Sequence, residues 1–92
     1  MYIILVYDIS LTDNGSKNLR RVFKTCKKYL SHIQNSVFEG ELTEAELFKL
    51  QVELQANVRR RCDSVIIFKS RQEKWLDKEF LGRSDDLTSN FL

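Results

Sequence analysis

Proline is absent from this chain, and its 92 residues hold only three glycines, two cysteines and one histidine. Without proline there is no stiff linker at which to divide it, and no repeat or low-complexity tract interrupts it. A chain of this length makes one domain. Cys26 and Cys62 lie far apart in sequence and fit no zinc spacing. Reduced thiols in a cytoplasmic protein are therefore expected, in place of a disulfide. His32 has no second His or Cys at ligand spacing and reads as a polar residue at a strand end. No apolar run reaches the roughly 18–20 residues of a membrane helix, so no membrane partner is expected. The apolar N-terminus lacks the basic lead and the small-residue cleavage site of a secretory signal.

Net charge is small as well, at +2, but it is unevenly spread. Residues 1–35 carry six Lys/Arg against Asp8 and Asp13, whereas residues 39–53 carry five Glu against Lys49. A small total that hides a basic segment is compatible with an anionic partner.

What the chain does have is an apolar, β-favouring run, Tyr2 to Ile9, interrupted by the carboxylate of Asp8. Such a run reads as a central strand covered on both faces. Side chains alternate along a strand, so Asp8 shares a face with Ile4 and Val6, and Tyr7 lines up with Ile3 and Leu5. An acid in phase with a core face has two readings: a turn or cap residue, or a metal or proton-handling site.

Asp13-Asn14-Gly15-Ser16 is a loop signal and a supply of helix N-caps. From Lys17 to Leu30, the residues Leu19, Val22, Phe23, Cys26, Tyr29 and Leu30 trace one helical face. Lys17, Arg20, Arg21, Lys24, Lys27 and Lys28 stand between them with no acid in the segment. That face is either simply solvated or a phosphate-binding surface. Residues 32–42 are extended by composition. Their apolar phase changes between Val37 and Phe38, which predicts a bulge, a bend or two short strands. Thr43 and Glu46 form a capping box, with Leu42 and Leu47 as its hydrophobic staple, ahead of a second amphipathic helix. Arg59, Arg60 and Arg61 read as complements to the negative end of that helix. Asp63-Ser64 opens a last strong strand through Phe68, and residues 75–81 suit an edge strand or a docking arm. The domain is placed at residues 1–82, with 83–92 as a polar C-terminal tail. Two helices can cover only one face of so small a sheet, so a two-layer α+β sandwich is expected. Its open, apolar face should meet another protomer.

At Tyr7-Asp8-Ile9-Ser10, at Gln34-Asn35-Ser36-Val37-Phe38-Glu39 and at Asp63-Ser64, the sequence resembles the small CRISPR-associated endonuclease family Cas-two, partner of the spacer integrase. The resemblance covers residues 1 to about 81. It implies a ferredoxin-like βαββαβ fold, a homodimer formed through the sheet, and a C-terminal strand or arm reaching across it. It also implies CRISPR adaptation as the function, with integrase subunits and duplex DNA or RNA as partners. Mg²⁺ or another divalent cation would be held by the catalytic Asp8 of each chain, and the reaction would be hydrolysis of a phosphodiester. Ser10, in phase with Asp8, is placed to orient a metal-bound water. Lys17, Arg20, Arg21 and Lys24 are the nucleic-acid-binding candidates, and Tyr7 and Phe38 are functional or structural. A non-catalytic adaptor is the alternative. The chain departs from the family in carrying Ser31-His32 where Gly-Arg is common, and in a loop after Asp8 with few arginines. Lys and His replace the bidentate phosphate grip of Arg poorly.

Overall fold

The structure is a computed structural model, and it describes residues 1–82, except for the side chain of Trp75. The tail placed at 83–92 lies outside the described residues. The elements run β1 (Tyr2–Asp8), α1 (Gly15–Tyr29), β2 (Ser31–Gln34), β3 (Val37–Glu41), α2 (Glu44–Gln55) and β4 (Ser64–Ser70). The four strands form an antiparallel sheet in the order β2-β3-β1-β4, the ferredoxin-like arrangement.

β1 is central, as its apolar run requires, but only one of its faces is covered by helices. Ile3, Leu5, Tyr7 and Ile9 join Val22, Cys26 and Leu30 with Leu47, Leu50 and Leu54 in one core. Ile4 and Val6, on the other face, are only half-buried, and Asp8 is exposed. Asp8 is thus not in phase with the core. It lies on the open face, because both crossover helices pack against the odd-numbered side chains.

The phase change in residues 32–42 is a two-residue hairpin. β2 and β3 are separate strands joined by Asn35-Ser36, with Asn35 at φ 40°. The break comes before Val37 instead of after it, and a register irregularity falls between His32 and Gln34. α1 starts at Gly15 with Asn14 as its N-cap, in the left-handed region and with no side-chain cap bond, so the expected caps go unused. α2 opens on the predicted capping box, with Thr43 N–H donating to Glu46 Oε1 at 2.9 Å and Glu46 N–H to Thr43 Oγ1 at 3.1 Å. It ends at Gln55, so Arg59, Arg60 and Arg61 lie beyond its last turn and do not complement its dipole.

Among the described residues no strand forms over 75–81. After β4 the chain makes a short 3₁₀ turn, Glu73–Trp75, and continues irregularly as an arm. Lys78 on this arm pairs with Glu39, and Tyr2 donates its hydroxyl to the same carboxylate. Glu39 is only 2% exposed. A buried carboxylate needs such partners, because an unpaired charge away from water is costly. The Lys78 contact holds the arm against the face of the sheet, at the interior strand β3. Among the described residues, no helix is long and apolar enough to cross a membrane.

Candidate active site

Asp8 ends β1 and lies directly opposite Ser64, the first residue of β4. Its carboxylate is exposed and makes no hydrogen bond or ion pair with any described residue. The capping role that a strand-end Asp often takes is therefore not the one it has here. Behind it on the same face come Val6 opposite Ile66 and Ile4 opposite Phe68. Ile66 is 53% exposed and Phe68 56%. An uncommitted carboxylate thus stands at one end of an apolar strip, and Lys78, Glu39 and Tyr2 close the strip's other end.

The backbone after Asp8 is fixed by a side-chain clamp. Asp63 Oδ1 accepts from Ser10 N–H at 2.9 Å, and Asp63 Oδ2 accepts from Arg59 Nε at 2.8 Å. The same guanidinium donates to three carbonyl oxygens of the loop: Ser10 at 2.6 Å, Thr12 at 2.7 Å and Asp13 at 3.1 Å. The Asp63 side chain is fully buried. The Arg59 guanidinium beside it, with the Arg59 and Ser10 amides, holds its carboxyl far below the usual carboxylate range. Gly15 belongs to the same knot. A Cβ there would sit 1.7 Å from the Ser10 carbonyl oxygen and 2.9 Å from Arg59 Nη2, so only glycine lets helix and loop pass this closely. Asp63, read from the sequence only as the opening of the last strand, is the anchor of the Asp8 loop. The signal available was Arg59-x-x-x-Asp63, a charge pair four residues apart just before a strand.

Ser10 belongs to this loop. Its hydroxyl shares a hydrogen bond with Thr12 Oγ1 at 2.8 Å, and the Thr12 amide donates to it at 3.3 Å. Phe38 and Tyr7 lie on the core side of the sheet, their rings 6.0 Å apart, and Phe38 is wholly buried. Burial, with Cys26 nearby, raises the Tyr7 phenol above its ordinary pKa. Burial also pushes the Cys26 thiol up to about 12, which leaves it an unreactive core residue. Both cysteines are free.

The basic candidates lie on the opposite layer. Lys17, Arg20, Arg21 and Lys24 are exposed along α1, and among the described residues none of them pairs with a carboxylate. Lys28 differs: it pairs with Glu53 of α2, which also accepts from the Tyr29 hydroxyl. The structure brings the four cations together on one helix face but places Asp8 on the far side of the sheet from them. Asp8 stands alone. No group of three His, Cys, Asp or Glu side chains able to hold a metal occurs among the described residues.

Residues 1–78 match the family described as CRISPR associated protein Cas2. A CRISPR-associated endoribonuclease Cas2 of Fusobacterium nucleatum is 55% identical over 92 residues, which is all of this chain and 87% of that protein. Another, of Moorella thermoacetica, is 46% identical over 90 residues, covering 97% of this chain and 99% of that one. Among solved structures, Streptococcus pyogenes Cas2 at pH 6.5 superposes with a TM-score of 0.79 at 32% identity. That match covers 89% of this chain and all of the other. A crystal structure of a further Cas2 gives a TM-score of 0.81 at 38% identity, covering 94% and 91%.

Proposed function

The chain belongs to the CRISPR-associated protein Cas2 family, and from that membership we propose that it acts in CRISPR adaptation as a metal-dependent endonuclease working as a homodimer. The observation that carries this reading is the position of Asp8, exposed and uncommitted beside the open apolar strip of Ile4, Val6, Ile66 and Phe68. Half-exposed side chains of this size on a flat sheet face gain about 25 cal/mol for each Å² taken out of water. A second copy laid on the same strip about a two-fold axis is self-complementary and draws the two Asp8 carboxylates toward each other.

The donor chemistry fits a hard divalent cation. Mg²⁺ takes oxygen ligands, keeps several waters and is held by as few as one or two carboxylates. One Asp8 per chain is half of such a set. When bound, a divalent ion supplies Lewis acidity toward water and the phosphodiester. This chain's part is to present the carboxylate and to hold its loop still, which Arg59 and Asp63 do. Lys17, Arg20, Arg21 and Lys24 of α1, paired with no carboxylate among the described residues, suit sequence-independent contacts with a nucleic-acid backbone. Integrase subunits are the expected protein partners, and the arm after β4 is the segment suited to reach them.

A second reading, a non-catalytic adaptor that only binds DNA and the integrase, is favoured by the isolation of Asp8 within one chain. Cleavage of single-stranded RNA and of duplex DNA by the wild type and by Asp8→Ala, with Mg²⁺ and with EDTA, separates the two. The nuclease reading expects cleavage in Mg²⁺ that is lost at least a hundredfold on Asp8→Ala. Cleavage that survives the substitution refutes the site. Integration in the presence of the integrase that persists in Asp8→Ala marks the adaptor role as the biological one.

A further inference from the structure

Tyr7 is 5% exposed, yet its hydroxyl has no hydrogen-bond partner among the described residues. No buried side-chain oxygen or nitrogen among those residues is both dry and unpaired, so this hydroxyl is reached by solvent. Tyr7 lines a surface groove of about 510 Å³ between α1 and the β2–β3 turn, with Leu19 and Phe23 as apolar walls. Ser16, Asn35 and Ser36 supply a polar rim, and Arg20 of the cationic face of α1 also lines it. The groove lies on the helix side of the sheet, away from Asp8.

A flat occupant with hydrogen-bonding groups on its edge suits apolar walls, an aromatic ring and an unpaired phenol. The Arg20 guanidinium, together with the neighbouring Lys17 and Lys24, suits an occupant attached to anionic groups. We propose that this groove receives one unpaired nucleobase of a bound nucleic acid, with Tyr7 as the hydrogen-bonding floor and Arg20 on the flanking phosphate. Bases are met in this way by aromatic and apolar side chains beside a basic track, with little dependence on sequence. The inference rests on the nucleic-acid-binding reading and adds a base site to it.

The test uses full-length protein and three duplexes of equal length: fully paired, with a single-nucleotide bulge, and with the same bulge lacking its base. The two bulged duplexes have equal charge and backbone, so the ratio of their affinities reports the base alone. The wild type is expected to bind the base-containing bulge about tenfold more tightly than the abasic one. Tyr7→Phe, which keeps the ring, should reduce that ratio to about threefold, the weight of one hydrogen bond. Leu19→Trp, which fills the groove, should bring it to one. Both variants should hold the affinity for the paired duplex within about twofold. Circular dichroism checks that they fold; should Leu19→Trp fail, Leu19→Met, which leaves the groove open, must keep the wild-type ratio while Tyr7→Phe lowers it. A wild-type ratio of one, or a ratio untouched by Tyr7→Phe and Leu19→Trp, overturns the groove assignment and leaves backbone binding intact. Failure of the paired duplex to bind counts against the underlying reading instead, and the ratio still decides the groove.

Discussion

Phe38, which the sequence leaves open as functional or structural, is packed in the structure as a core residue. Its ring meets Tyr7, Phe23 and His32, with centroids 6.0, 5.5 and 4.8 Å away, and none of it reaches solvent. His32 completes the cluster by binding the Asn35 carbonyl oxygen through Nε2 at 2.8 Å, which ties β2 to its turn. Phe38→Ala removes a large buried ring, so denaturant unfolding should show a loss of about 3–5 kcal/mol. Cleavage per folded molecule should persist at temperatures where the variant remains folded. An unchanged midpoint with cleavage abolished would instead give Phe38 a direct part in the reaction. Asp8 presents the opposite case. The sequence makes its strand and its phase plain, but which phase faces the helices depends on how two crossovers pack, and alternation alone leaves that choice open.

Among elements, the loop after β1 is held by residues distant in sequence. Arg59 and Asp63 bind the backbone of residues 10–13 across about fifty positions of sequence. Because Asp63 is ionised in the fold at pH values where a free carboxyl would be protonated, it contributes to stability above the ordinary carboxylate range. That contribution is lost as pH falls from about 4 toward its depressed value. Asp63→Asn should therefore flatten the acid limb of the unfolding free energy. An identical pH slope in Asp63→Asn and the wild type would contradict the clamp. Such long-range pairs are hard to read from sequence, since an arginine triplet after a helix is equally well explained by the helix dipole. The local signals fared better. The Thr43/Glu46 box and the spacing of Leu47, Leu50 and Leu54 fix α2 by themselves, and the Val22/Cys26/Leu30 stripe fixes the buried face of α1. The last apolar segment left an edge strand and a docking arm both open, and the structure makes it an arm for a physical reason. Its lysine, Lys78, binds across the sheet to Glu39, and composition does not show which acid a lysine will find.

For the whole molecule, the layers divide the work. α1 turns its unpaired cations outward on one side, and the sheet turns Asp8 and an apolar strip outward on the other. Among the described residues the arm meets the strip at its Tyr2 and Glu39 end, and Asp8 at the other end is exposed. If two chains meet there, the metal site belongs to the pair and not to either chain. Calorimetric titration of the purified protein with Mn²⁺, at a concentration where sedimentation shows the dimer, tests this directly. The account predicts one ion bound for every two chains and no binding in Asp8→Ala. One ion per chain, or a stoichiometry unchanged by Asp8→Ala, would contradict it.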